Sequence, residues 1–224
     1  MQEIPNAPNS PDRSYLTFSQ EAETEYIEKK SRFIGFAAPA ETEADALLHL
    51  RRLREAHPAA KHHVYAYTIR EGDVLLQRYS DDGEPQGTGG IPVLDVIKKQ
   101  ALMNCILVVV RYFGGILLGA AGLVRAYGKS AAMAAEAAGI VRMTPCRRIR
   151  VVSDYPFYGK IRKAAEDLQL AAEPPQFDSA VTADYLVPET RLEAVCTALT
   201  EAAAGQLIIE QRELVFFPLS DSRK

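Results

Sequence analysis

Three carboxylates crowd the segment SDDGEPQGTGGIP: Asp81, Asp82 and Glu84, followed by Thr88 among glycines. Carboxylates at that density can hold Mg²⁺ or move protons. The spacing is not that of a calcium loop, because Gly83 interrupts the alternating ligands such a loop needs. No metal ligand set and no cofactor is therefore assigned. Asp-Gly is also a common turn, and the same carboxylates can hold an arginine by paired hydrogen bonds. Two arginines invite that use. Arg111 closes the apolar run LVVVRYFGGILLG, next to Tyr112 and ahead of Gly114 and Gly115. A guanidinium, a phenol ring and bare backbone amides make a receptor for phosphate or carboxylate. Pairing of Arg111 with the acidic loop is the plainer alternative, with the glycines merely turning the chain.

Arg125 lies in GLVRAYGKS with Tyr127 and Lys129. Five residues separate Gly122 from Gly128 where a P-loop has four, and the segment falls where a helix is expected, so a nucleoside triphosphatase is discounted. Arg125 and Lys129, four apart, share a helical face, either solvated or extending a patch begun by Arg111. Lys29, Lys30 and Arg32, ahead of Phe33, form a second cationic spot: such a run is usually a solvated strand end, and beside an aromatic ring it can also meet RNA phosphates. His62 and His63 adjoin a strand and so point to opposite faces, one buried and one exposed. They cannot pair as ligands on one face, which leaves His62 as a lone candidate for binding. No GxSxG or HExxH motif occurs.

The elements that must position these residues are legible in outline. KKSRFIGFA reads as a strand, EADALLHLRRLREA as an amphipathic helix whose apolar set includes Leu47, Leu50 and Leu53, and HHVYAYTI with DVLLQRY as an antiparallel hairpin. A helix is expected from Ile91–Pro92 to about Met103. CILVVVRY lacks polar alternation, so both its faces should be covered. An alanine-rich helix should run from about Gly119 to Ala138 and stop at Gly139. Pro145 and the basic cluster Arg142, Arg147, Arg148 and Arg150 mark a domain boundary within 142–148. Beyond it RRIRVVSDY, YGKIRKAAEDL, LAAEPPQF, SAVTADYLV, PETRLEAVCTALTEAA and QLIIEQRELVFFPL read as β-α-β-β-α-β, the ferredoxin-like order. Its first strand lacks the aromatic pair of an RRM-type RNA reader.

At 47% hydrophobic and 25% charged, 224 residues can bury the cores of two modest domains. The net charge of −3 supplies no bulk basic field for nonspecific nucleic-acid binding. Three scattered cysteines, Cys105, Cys146 and Cys196, fit a reducing cytosol. No run of about 18 apolar residues spans a membrane. The proline-dotted N-terminus lacks the layout of a secretion signal and reads as a disordered tail.

Along the chain, KKSRFIG, HPAAKHHVYAY, SDDGEPQGTGGIP and VVVRYFGGILLGAAGLVRAYG together, in this order and spacing, resemble the YigZ/IMPACT family. The resemblance covers 15–140 most specifically and, through the ferredoxin-like tail, extends to the bacterial two-domain members. It implies an N-terminal domain with the left-handed β-α-β fold of ribosomal and elongation-factor domains. It also implies a second domain like the final one of elongation factor G. Eukaryotic relatives act in translation control, and no catalytic residues carry over. This chain departs at Ala121, where relatives commonly have glycine, and at Val64, where they often have cysteine, which speaks against a shared thiol mechanism.

The expectation is an α+β chain: a tail over 1–14, a YigZ/IMPACT N-terminal domain over 15–143, a ferredoxin-like domain over 144–218 and a tail over 219–224. It is a cytosolic, non-enzymatic binding protein linked to translation, with the ribosome, an RNA or a translation factor as partner. Its binding residues are Asp81, Asp82, Glu84, Thr88, Arg111, Tyr112, Gly114, Gly115, Arg125, Tyr127 and His62, the three carboxylates orienting the arginines. The alternative is an enzyme acting on a small phosphorylated or anionic substrate through the acidic loop and Arg111 with Arg125.

Overall fold

Strand β6 (Cys105–Tyr112) is buried along all but its last residue, as an unbroken apolar run requires. Around it lie β3 (Ser31–Pro39) and β4 (His62–Glu71), and outside them β2 (Ala22–Glu28) and β5 (Val74–Ser80). The order is β2-β3-β6-β4-β5 with every pair antiparallel. Successive β6 side chains face opposite ways. Leu107 and Val109 meet helices α2 (Gly90–Lys99) and α3 (Ala120–Ala138); Ile106, Val108 and Val110 meet α1 (Glu43–Ala56). The computed structural model describes residues 13–72 and 74–219. The chain divides between Arg142 and Met143 into two units. Apart from 13, 14 and 219, the expected tails lie outside the described residues.

Helix α1 starts with a capping box. Thr42 accepts from the Asp45 backbone N–H at 3.1 Å while the Asp45 carboxylate accepts from Thr42 N–H at 2.9 Å. Its buried stripe is Ala46, Leu50 and Leu53, whereas Leu47 is 42% exposed and does not join it. Helix α3 buries Leu123, Ala126, Tyr127, Ser130, Ala131, Ala134, Ala135 and Ala138 at helical spacing. Small residues let it lie close to the sheet. A Cβ on Gly35 would sit 2.5 Å from the Ser130 carbonyl oxygen. Helix α2 ends four residues before Met103 because the chain turns with positive φ at Ala101 (52°) and Asn104 (50°). Asn104 then binds three segments: its carbonyl accepts from Ala40 N–H and the Thr17 hydroxyl, and its side chain from Arg70 N–H, each at 2.8 Å. The sequence reading has neither β2 nor the short strand β1 (Tyr15–Phe18).

The second unit begins at Met143, within strand β7 (Ile140–Ser153), and the strand itself starts well before the expected Arg147. Pro145 lies one position past the last pair with β10 (Val181–Pro188), so no bond to that neighbour is lost. Helix α4 (Tyr155–Asp167), the two-residue strands β8 (Ala171–Ala172) and β9 (Gln176–Phe177), helix α5 (Leu192–Ala202) and β11 (Leu207–Pro218) complete it. The strands run β11-β7-β10-β8, all antiparallel, with β9 also on β10. LAAEPPQF is broken at Pro174 and Pro175, which have no N–H to give a ladder. Ile149, Val151, Ile161, Ala183, Tyr185, Val195 and Leu199 form the core between this sheet and its helices.

Candidate functional site

The acidic segment joins β5 to α2, and its carboxylates go three separate ways. Asp81 accepts from the N–H groups of Gly87, Gly89 and Gly90 at 2.8, 2.9 and 2.8 Å. Gly90 opens α2 and Gly89, its N-cap, has no side chain, so Asp81 caps the helix from eight or nine residues upstream. Burial pushes its carboxyl pKa up, but the three N–H donors outweigh that and hold it below the usual range. Asp82, at φ 43°, accepts from His63 N–H at 2.6 Å and from Arg54 at 3.2 Å. Its carbonyl lies 2.9 Å from His62 Nδ1; a carbonyl only accepts, so Nδ1 carries the proton. The Thr88 hydroxyl donates to the Pro85 carbonyl at 2.7 Å and fixes the turn.

Glu84 is the carboxylate that reaches an arginine. One oxygen accepts from Arg111 Nη1 at 2.5 Å and from the Tyr127 hydroxyl at 2.7 Å, and His62 Nε2 stands 3.9 Å away. Strand register explains the meeting. Tyr26, Phe33, Arg111 and His62 are neighbours across β2, β3, β6 and β4, one row on the α3 side of the sheet. Arg111 is clasped between the rings of Phe33 and Phe113, at 5.4 and 5.6 Å from their centroids. Its Nη2 lies 3.5 Å from Ser31 Oγ, which accepts from Gly114 N–H at 3.2 Å. Arg111 is only 6% exposed, and its Nε is buried with no hydrogen-bond partner among the described residues. Burial, then the Glu84 carboxylate, drives the Tyr127 pKa far upward, so its phenol remains a donor.

Several expected assignments therefore change. Asp81 and Asp82 orient neither Arg111 nor Arg125; the first caps a helix and the second ties Arg54 to the His62–His63 strand end. Arg111 is an internal tie rather than a docking side chain, because it is buried and held by Glu84, which also accepts from the Tyr127 hydroxyl of α3. Tyr112 points to the opposite face, where its hydroxyl lies 3.0 Å from His57 Nδ1. Of the two histidines, His63 is the buried one; burial lowers its pKa, and its Nε2 has no partner among the described residues. Gly114 is needed because a Cβ there would lie 2.0 Å from the Lys30 carbonyl carbon, whereas Gly115, at φ 84°, faces open space.

Arg125 belongs to a different group. With Lys129 of α3 and Lys29 of the β2–β3 turn it lines a cleft of about 170 Å³, floored by Tyr26, Gly122 and Ala126. The two cationic spots separated in sequence thus become one, which the spacing of residues alone does not reveal. The contributions of Tyr26, Ser31 and Phe33 were also hidden, since only strand register brings them beside Arg111 and Arg125. Among the described residues no three of His, Cys, Asp and Glu come together as a metal site, and no helix is long and apolar enough to cross a membrane.

All of these site residues except Tyr26 fall within 29–135, which matches the Impact N-terminal domain. The chain is similar to IMPACT family member YvyE of Bacillus subtilis (strain 168), with 36% identity over 203 residues, 91% of this chain and 93% of the relative. It is 39% identical to IMPACT family member YigZ of Escherichia coli (strain K12) over 128 residues, 57% of this chain and 63% of the relative. The crystal structure of a hypothetical protein superposes with a TM-score of 0.58 at 28% identity, covering 89% of this chain and 98% of that one. The chain belongs to the YigZ/IMPACT family.

Proposed function

We propose that this chain is a cytosolic binding protein linked to translation, which engages RNA, in the ribosome or free, through its N-terminal unit. The observation that carries the reading is how the motif's polar groups are used. Asp81, Asp82, Glu84, Thr88, Arg111 and Tyr127 bond to one another or to backbone, which stiffens a surface rather than presenting a nucleophile and base. The cations left open, Lys29, Arg125 and Lys129, converge on one cleft. In the second unit the antiparallel order β11-β7-β10-β8, with two helices, supports a ferredoxin-like domain of the elongation factor G kind. Its cations are largely paired: Arg150 with Asp184 at 2.9 and 2.7 Å, Arg147 with Glu189 at 3.0 Å, and Arg148 with Glu173 and Glu213. That pairing favours the N-terminal unit as the RNA-facing one.

The test is co-sedimentation with ribosomes and capture from lysate, each with and without nuclease. Association that disappears with nuclease supports the reading, and a stable protein partner indifferent to nuclease replaces it. An enzyme acting on an anionic substrate keeps one observation in its favour: the unpartnered Arg111 Nε beside Glu84 and His62. Turnover of any phosphorylated substrate that stops in His62→Gln, with folding intact, would establish that alternative.

A further inference from the structure

The cleft formed by the β2–β3 turn and the first turns of α3 has a composition and strain that the stability of the fold does not explain. We propose that it is a subsite for a phosphodiester of single-stranded RNA, held by Lys29, Arg125 and Lys129 with the backbone at Gly122. The proposal rests on the RNA-binding reading above and names where on the chain that binding occurs.

The charge is real and unspent. Arg32, Arg52, Arg54 and Arg111 each have a carboxylate partner. Lys29, Arg125 and Lys129 have no ion-pair partner among the described residues, and all three are exposed. Glu28 is the one acid lining the cleft, and its carboxylate is engaged by the Tyr26 hydroxyl. Lys129 Nζ sits 4.3 Å from the centroid of the Tyr26 ring, which orients the ammonium at the cleft wall.

The backbone is strained to put a lysine there. Lys29 and Lys30 form a two-residue turn between paired Glu28 and Ser31, with φ of 45° and 66°. Such turns favour Asn-Gly, and two lysines with positive φ cost about 1 kcal/mol or more each. The turn is held from behind by Gly114, whose missing side chain lets its backbone press on Lys30. Strain that the surroundings enforce is commonly kept for function. The opposite wall is the N-terminal turn of α3, where Gly119 gives no side-chain cap and no acid stands in the first turn. The first N–H groups of a helix have no intrahelical partner and carry the positive end of its dipole, and Gly122 of this first turn lines the cleft.

Size and surroundings choose the ligand. At about 170 Å³ the cleft takes a phosphate group but not a whole nucleotide, which needs a pocket of roughly 300 Å³ or more. The loop that supplies Leu118 to the cleft also exposes Phe113 and Leu117, at 54% and 82%. Exposed apolar and aromatic groups on a loop that also lines a cationic cleft suit unstacked bases, which duplexes do not offer. A cluster of three cations on a chain of net charge −3 predicts few phosphate contacts and modest affinity.

The experiment is fluorescence anisotropy of a labelled 12-nucleotide oligouridylate with the full chain, titrated between 50 and 200 mM KCl, alongside ribosome co-sedimentation. Three contacts predict a slope of log affinity against log salt of about −2, and Arg125→Gln and Lys129→Gln should each make it shallower by about 0.7. Gly114→Ala should weaken binding by displacing the lysine turn, while Arg162→Gln, in the second unit, should leave it unchanged; thermal melting checks folding. If the wild type binds oligouridylate and ribosomes but the cleft variants do so equally well, the subsite is wrong and the general reading stands. If the wild type binds neither, both fall. Displacement by polyglutamate as effective as by unlabelled oligouridylate shows a mere anion patch and overturns the RNA assignment.

Discussion

Glu84 carries more than one carboxylate's share of the N-terminal unit. A single oxygen receives both the Arg111 guanidinium and the Tyr127 hydroxyl, and the side chain is 4% exposed. Glu84→Ala strands a buried guanidinium and should destabilise the chain by about 3–5 kcal/mol in urea denaturation. Tyr127→Phe removes one hydrogen bond but leaves the charge pair, and should cost about 1–2 kcal/mol. Equal effects from the two would mean that the ion pair is not the main tie. Asp81 gives a pH signature. Its folded pKa lies below the unfolded value of 3.8, so its contribution is complete above that value and is lost as pH falls through the folded one. Acid should therefore destabilise the wild type more steeply than Asp81→Asn below about pH 4, with matching slopes near neutrality. The same steepness in both proteins would remove Asp81 as the helix cap.

At the level of elements, the crossing of α3 over β3 depends on Gly35. A Cβ there meets the Ser130 carbonyl oxygen, a backbone atom that cannot swing away. Gly35→Ala should cost about 1–3 kcal/mol as overpacking, and Gly115→Ala about 1 kcal/mol through its positive φ alone, despite open space. Thermal melts of the pair separate the causes: the first should shift α3 and near-ultraviolet aromatic signals, the second only the midpoint. Elements with a strong apolar pattern, on one face or on both, were legible in the sequence. Helix α1, from its cap Thr42 through Leu50 and Leu53, and β6, apolar on both sides, begin and end where the residues indicate. Strand β2 was not legible because Glu23 and Glu25 point outward between half-buried Ala22, Thr24 and Tyr26, so little apolar signal remains. In the site, the meeting of the acidic loop with Arg111 was legible, but not the division of labour among three carboxylates. Positive φ at Asp82, Gly83 and Gly87 swings Asp81 toward α2 and Glu84 toward Arg111, and residue spacing does not encode those angles.

The whole chain has a built-in reporter of how firmly its cores are closed. Cys105 lies at the start of β6 and Cys146 within β7, both fully buried, while Cys196 on α5 is only partly covered. Burial raises the pKa of all three thiols, most at Cys105, so little reactive thiolate exists near neutral pH. An aromatic disulfide reagent added to the native chain should therefore label Cys196 first, and Cys105 and Cys146 only as fast as their surroundings open. Cys196→Ser should abolish the early phase, and denaturant should expose the remaining two thiols at once. Because Cys105 belongs to the N-terminal unit and Cys146 to the second, their separate rates measure the opening of each. Glu84→Ala should accelerate Cys105 and leave Cys146 unchanged if the Glu84–Arg111–Tyr127 tie serves its own unit. Equal acceleration of both would show that the two units open together and that the tie stabilises the chain as one.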